Sequence, residues 1–139
     1  MSIAKIMSTR VVSVHMDDSL QSLRELFAAA EFHHLVVVHE NKLQGIISDR
    51  DLMKSISPFV DTLSERKLDR ATLDKKAHQI MTREVITLNP SDSVYSAIEL
   101  FNSHKISCIP IIDTKRHPVG IVSWRDVMKF MQSRVEAKR

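Results

Sequence analysis

Glycine is almost missing from this chain: there are two in 139 residues. A residue so scarce marks positions where the backbone itself requires it. Cysteine is scarcer still. The single Cys108 excludes an internal disulfide framework and fits a reducing compartment. With Ile106, Ile109 and Ile111 around it, Cys108 reads as a small core residue rather than a nucleophile. Aromatic residues make up 5%, mostly Phe in apolar settings, which leaves no stacking platform for bases. No apolar run approaches the roughly 18 residues that a membrane helix needs. The N-terminal stretch also lacks the basic-then-apolar pattern of a secretory signal. The reading is therefore cytoplasmic, with no membrane partner. Net charge is only +3 and mixed in sign, much of the excess sitting in Arg134, Lys138 and Arg139. A nucleic-acid partner is disfavoured, because such binders usually show a one-sided basic stripe.

What the chain does have is a repetition. Both glycines open the same stretch: Gly45-Ile46-Ile47-Ser48-Asp49-Arg50-Asp51 and Gly120-Ile121-Val122-Ser123-Trp124-Arg125-Asp126. Each copy reads as a short buried strand running into a helix. Ser48 and Ser123 stand at the N-cap, and Asp51 and Asp126 at the third helical position. That is the spacing of a capping box, in which hydroxyl and carboxylate satisfy each other's backbone N–H. The same pair can do more. A helix start attracts phosphate, the hydroxyl can donate to a phosphoryl oxygen, and the carboxylate can accept from both hydroxyls of a ribose. Glycine at the strand's start admits another backbone or a ligand.

The duplication runs well beyond this heptapeptide. Ile6-Met7-Ser8 answers Ile80-Met81-Thr82, Val11–Val14 answers Val85–Leu88, and Glu25-Leu26-Phe27 answers Glu99-Leu100-Phe101. The offset is 74 residues from Ile6 to Ile80 and 75 from Gly45 to Gly120, which places one extra loop residue near His117-Pro118. One unit is used twice, too few copies for a solenoid. The full order, twice over, resembles a tandem pair of CBS motifs, a Bateman module, and covers essentially everything except the 55–78 connector.

The expected elements are strand Val11–Val14, a helix from Ser19, strand Leu35–Val38 buried on both faces, a turn at Glu40-Asn41-Lys42, strand Gly45–Ser48 and a helix over 49–56. The second half repeats them: strand 85–88, helix 92–104, strand 109–112, strand 120–123 and helix 125–136. Motif 1 spans 1–57, the connector 58–78 and motif 2 79–139. Within the connector, Phe59, Val60, Leu63, Leu68 and Leu73 are the residues expected to pin it to the body. The fold class is thus α/β (α+β): two β-α-β-β-α motifs which, as the resemblance implies, pack sheet to sheet with pseudo-twofold symmetry.

The resemblance also implies two ligand clefts between the repeats. In one, Ser123 and Asp126 hold phosphate and ribose, with Met7, Val12, Phe32 and His33 around the base. In the other, Ser48 and Asp51 do so, with Met81, Ile86, Ile106 and Ser107 around the base. The apolar members of both sets are equally explicable as core. Arg50 and Arg125 either reach a phosphate or lie on a solvated helix face. Trp124 breaks the internal symmetry, standing where the first copy has Asp49; stacking on a base and contact with a dimer partner are both open to it. Val36 likewise replaces the proline of Ile109-Pro110-Ile111, so the two clefts are expected to be inequivalent.

No metal site is expected: His33 and His34 are adjacent and point apart, and no His-x-x-x-His or Cys-x-x-Cys spacing accompanies them. No nucleophile–base–orienter set is visible either. The sequence therefore points to a non-enzymatic regulatory module that requires no cofactor. Its regulatory ligand would be an adenine nucleotide, AMP or ATP first, with ADP, NAD and S-adenosylmethionine as further adenosyl candidates. By resemblance it would form a homodimer and signal to an effector protein. The alternatives are a ligand-free dimerisation or protein-interaction module, in which the Ser-x-x-Asp pairs only cap helices, and a regulator associated with nucleic acid.

Overall fold

The structure, a computed structural model, describes residues 1–139. The chain divides into two compact units, one of Val12–Glu84 and one, the split unit, of Met1–Val11 with Val85–Arg139. The cut does not follow the sequence repeats. The residues leading into each repeat pack on the other one, so the first eleven belong with the second half and the stretch around Ala77–Thr82 with the first.

In the Val12–Glu84 unit, strand β1 (Ser13–His15) is followed by helix α1 (Leu20–Ala29), β2 (His34–His39), β3 (Lys42–Ser48) and α2 (Asp49–Ser55). Ser19 caps α1, its hydroxyl accepting from the Ser22 N–H at 3.2 Å. β2 lies centrally, parallel to β1 and antiparallel to β3. Its Leu35–Val38 run is buried throughout, as expected for a strand covered on both faces. Glu40 and Asn41 turn the hairpin with φ of 51° and 62°, the double positive φ of the tight hairpin turn whose twist suits its strands. Leu20, Leu23, Leu35, Val37, Ile47 and Ala77 form the fully buried heart of this unit.

The connector carries α3 (Lys67–Ala71), a 3-10 turn over Thr72–Asp74 and α4 (Ala77–Ile80). Its hold on the body is more polar than the sequence suggested. Val60 and Leu73 are buried, but Phe59, Leu63 and Leu68 are exposed and pin nothing. Asp61 does the work instead, accepting from Arg24 on α1 at 2.7 Å and from Arg70 on α3 at 2.9 Å. Within the connector, Asp69 on α3 accepts from the hydroxyl of Ser57, the residue just before the connector begins, at 2.7 Å.

The split unit contains α5 (Val94–Ser103), β4 (Cys108–Ile112), β5 (Pro118–Ser123) and α6 (Trp124–Ala137). β4 and β5 form an antiparallel pair, and Cys108 is buried in β4 with its thiol pushed up to about 12 by desolvation, the inert core cysteine the sequence implied. Ile3 is fully buried here, and its N–H donates to the Asp92 carbonyl at 2.7 Å. The expected strand over 85–88 is reduced to a single parallel bridge, Leu88 with Ile111. Proline explains the loss. In the other unit the Val36 N–H donates to the Val12 carbonyl at 3.1 Å, but Pro110, the equivalent residue, has no N–H to give. β1 is also shorter than its expected Val11–Val14 span at the front, because Val11 donates to the Thr9 carbonyl in a local turn.

Candidate functional site

Both glycines are explained by one contact. A Cβ on Gly45 would lie 2.6 Å from the Met81 sulfur and 2.9 Å from the Thr82 carbonyl oxygen. On Gly120 it would lie 2.5 Å from the Met7 sulfur and 3.1 Å from the Ser8 carbonyl oxygen. In each unit an Ile-Met segment crosses the start of the glycine strand, bridging Thr82 to Ile46 and Ser8 to Ile121. The close approach that glycine permits is thus taken up by the chain's own backbone and a methionine. Met81 is core, whereas Met7 keeps part of its surface.

Three residues beyond each glycine the strand ends in a complete capping box. In the first, the Asp51 N–H donates to Ser48 Oγ at 3.0 Å and the Ser48 N–H to Asp51 Oδ2 at 2.9 Å. In the second, the Ser123 N–H donates to Asp126 Oδ2 at 2.8 Å and the Asp126 N–H to Ser123 Oγ at 3.4 Å. Here the Ser123 hydroxyl also donates to Asp126 Oδ2, at 3.1 Å. Capping consumes only Oδ2 in both copies. Oδ1 of Asp51 and of Asp126 accepts nothing from the chain, so each helix start keeps a carboxylate oxygen for a donor from outside. Capping and ligand binding are therefore compatible on the same pair.

The surroundings of the two boxes differ. Arg50 and Arg125 are both exposed and take part in no ion pair. Beside Ser48, however, Asp49 adds a second carboxylate, which receives His33 Nδ1 at 2.9 Å. Burial works to raise the Asp49 carboxyl, but the His33 and Arg50 hydrogen bonds outweigh it and hold the group below its usual range. His34, next along, is pushed below 6.5, chiefly by desolvation, with Asp49 opposing. Beside Ser123 stands Trp124, its indole N–H donating to the Ile106 carbonyl at 2.9 Å and its ring 6.0 Å from Phe101. No group of three or more His, Cys, Asp or Glu is gathered where a metal could be held.

The residues expected at each site divide by unit. Ser123, Asp126, Arg125, Met7, Ile86, Ile106 and Ser107 lie in the split unit; Ser48, Asp51, Arg50, Met81, Val12, Phe32 and His33 lie in the other. Each Ser-x-x-Asp box is thus brought together with its methionine. The residues preceding each hairpin, Phe32-His33 and Ile106-Ser107, join the box of their own unit: the Asp49 N–H donates to the His33 carbonyl and the Trp124 N–H to that of Ser107. The His33–Asp49 contact was missed at the sequence level. A two-residue turn, with the bulge between Val37 and Val38, pairs His34 with Ser48 and so sets His33 opposite Asp49. The turn was legible; the bulge was not.

Residues 3–58 and 77–133 each match the sequence model of the CBS domain. A homoserine O-acetyltransferase of Methanocorpusculum labreanum is 31% identical over 124 residues, 88% of this chain but 23% of that protein. The chain spans about a quarter of the length of such acetyltransferases and 37% of a Methanocaldococcus jannaschii protein without an assigned role. A CBS domain-containing protein of Dictyostelium discoideum is 28% identical over 131 residues, 93% of this chain and 90% of its own. Among solved structures, the CBS domain pair of protein MJ0100, in complex with 5′-methylthioadenosine and S-adenosyl-L-methionine, matches with a TM-score of 0.76 at 27% identity over 96% of this chain and 98% of its own. The structure of CBSX2 in complex with AMP shares the fold, with a TM-score of 0.76 at 23% identity over 99% and 98% of the two chains.

Proposed function

Because the chain belongs to the CBS domain family and carries two copies of the domain, we propose that it is a non-catalytic regulatory module that binds an adenosyl ligand and passes the signal to a partner protein. One observation carries this reading: each repeat ends a glycine-led strand in a Ser-x-x-Asp box that leaves one aspartate oxygen unused. A ribose offers two neighbouring hydroxyl donors for that oxygen. The adenosyl ligands of the MJ0100 domain pair support the ligand class. Around the base would stand the residues that the family resemblance assigns to each site: Met7, Val12, Phe32 and His33 for one, Met81, Ile86, Ile106 and Ser107 for the other.

The two boxes suit different ligands. At Ser123 the first helical turn carries Arg125 and Asp126, which cancel, and Trp124 adds no charge. At Ser48 it carries Asp49, Arg50 and Asp51, a surplus of one carboxylate. A phosphate is repelled by that surplus, so AMP or ATP belongs at the Ser123–Asp126 end and an uncharged or cationic adenosyl group at the Ser48–Asp51 end. The ligand acts by differential affinity for alternative arrangements of the module or of a homodimer.

Thermal unfolding of nucleotide-stripped protein against AMP, ADP, ATP, NAD, S-adenosylmethionine and 5′-methylthioadenosine tests the reading. Ligand at about a hundred times its Kd contributes about 2.7 kcal/mol, a shift of roughly ten degrees for a chain of this size. Asp126→Asn and Asp51→Asn keep an oxygen for the cap but replace the free acceptor with an amide, so they should erase the shift without lowering the ligand-free midpoint. A midpoint unmoved by every ligand would mean that the boxes serve only as caps and that the protein is an interaction module.

A further inference from the structure

The residue after each cap serine differs, Asp49 in one unit and Trp124 in the other, yet both hold the same part of the repeat. Through the backbone, the Asp49 N–H donates to the His33 carbonyl at 2.9 Å and the Trp124 N–H to the Ser107 carbonyl at 3.3 Å. Each side chain adds a second hold on the segment before the hairpin. Asp49 Oδ2 meets His33 Nδ1 at 2.9 Å, and the Trp124 indole N–H donates to the Ile106 carbonyl at 2.9 Å. A helix phenylalanine backs both arrangements. The Phe27 ring lies 5.3 Å from that of Phe32, and the ring of Phe101, its counterpart in the second repeat, 6.0 Å from that of Trp124. Ile106 stands where the first repeat has Phe32, so Trp124 supplies the aromatic partner that this change removes.

The two holds are not equally firm. Asp49 grips a side chain, and that of His33 is 78% exposed. Trp124 grips backbone, and Ile106 packs half-buried against the core of the split unit. A bond to an exposed side chain leaves the main chain free to move. One to a carbonyl fixes the peptide itself.

On the adenosyl reading, Ile106-Ser107 stands around the base of the ligand at Ser48–Asp51. Trp124 instead opens the helix whose first turn, with Ser123 and Asp126, holds the other ligand. Resting on that reading, we propose that Trp124 is a positioning residue that couples the two ligands. AMP at Ser123–Asp126 steadies the first turn of α6, and the indole bond to Ile106 passes that order to the base segment used by S-adenosylmethionine. The coupling is positive, because order supplied by the first ligand need not be supplied again by the second. It is also reciprocal, since linkage requires each ligand to tighten the other by one factor.

Calorimetric titration of S-adenosylmethionine into the full chain, with and without saturating AMP, tests the coupling. AMP should lower the Kd of S-adenosylmethionine by about fivefold or more, the range of ordinary coupling between sites. Trp124→Phe keeps a ring against Phe101 but has no N–H, so the ratio should fall to about one while AMP alone binds as before. In the ligand-free chain, the same variant should speed amide exchange severalfold over residues 104–108 and leave residues 30–34 unchanged. A Kd that AMP does not lower, or a ratio undiminished in Trp124→Phe, overturns the coupling and leaves the adenosyl reading standing. Exchange over 104–108 that is the same in both chains overturns the clamp itself. A wild-type chain that gives no heat with one or other ligand overturns the adenosyl reading, and the coupling with it.

Discussion

The two units are built from the same repeat and solve the same problem with different residues. Each receives an Ile-Met segment from the other repeat and seats its methionine on a glycine. The Val12–Glu84 unit completes a three-stranded sheet, closes its core at Ala77 and holds its connector through Arg24, Asp61 and Arg70. The split unit makes do with two strands, fills the position of Ala77 with Ile3 and extends α6 to fourteen residues. Duplication preserved the helix caps and the crossing segment, while the sheet edge and the residue after each cap serine diverged. What diverged is what distinguishes one box electrostatically from the other.

That contrast can be broken most forcefully at Ile3. Ile3→Ala should remove about 2–5 kcal/mol, the usual cost of emptying a fully buried isoleucine site, read by urea unfolding, since the split unit has no other residue to fill it. A loss below about 1 kcal/mol would mean that the N-terminal arm is not integral to that unit. The glycines come next. Gly45→Ala forces a Cβ against backbone at 2.9 Å and Gly120→Ala at 3.1 Å, and overpacking of this kind costs about 1–3 kcal/mol. Both should destabilise, Gly45→Ala the more. The reverse order would show that the methionines, not the carbonyls, set the constraint.

A smaller change should make the units more alike. Pro110→Val restores the missing donor opposite Ile86, and a net hydrogen bond is worth about 1 kcal/mol. The new amide at 110 should be protected from hydrogen exchange as the Val36 amide is. An amide exchanging as fast as a loop's would show that proline is not what keeps 85–88 off the sheet. The smallest effect concerns pH. His34 is depressed below 6.5 by burial, so the unfolded chain takes up its proton first and stability falls as pH drops through about 6.5 toward the folded value. The split unit has Cys108 at the equivalent position, which does not titrate there. His34→Gln should flatten the midpoint between pH 7.5 and 5.5, and an unchanged slope would place the sensitivity elsewhere.

Much of this was legible in the chain. Two glycines at one offset, two Ser-x-x-Asp boxes and an apolar strand bounded by a Glu-Asn turn fixed the elements around the boxes. Local chemistry determines those features, so a sequence displays them. The strand over 85–88 was misread because its loss is decided by a donor missing twenty-odd residues away, at Pro110. The connector was misread for a similar reason: Phe59, Leu63 and Leu68 look like anchors, whereas Asp61 gathers Arg24 and Arg70 from distant positions. The crossing of Met7 onto Gly120 and Met81 onto Gly45 could have been inferred, since the methionines and glycines repeat together. The His33–Asp49 contact could not, because it depends on a bulge that shifts the register by one.

The central claim is that the two boxes bind, and bind differently. Calorimetric titration of AMP into the wild-type chain, Asp126→Asn and Asp51→Asn tests this most directly. Saturable heat is expected for the wild type, none for Asp126→Asn and nearly unchanged heat for Asp51→Asn, with S-adenosylmethionine giving the opposite pattern. Heat from neither ligand in the wild type, or equal loss in both variants, would contradict it.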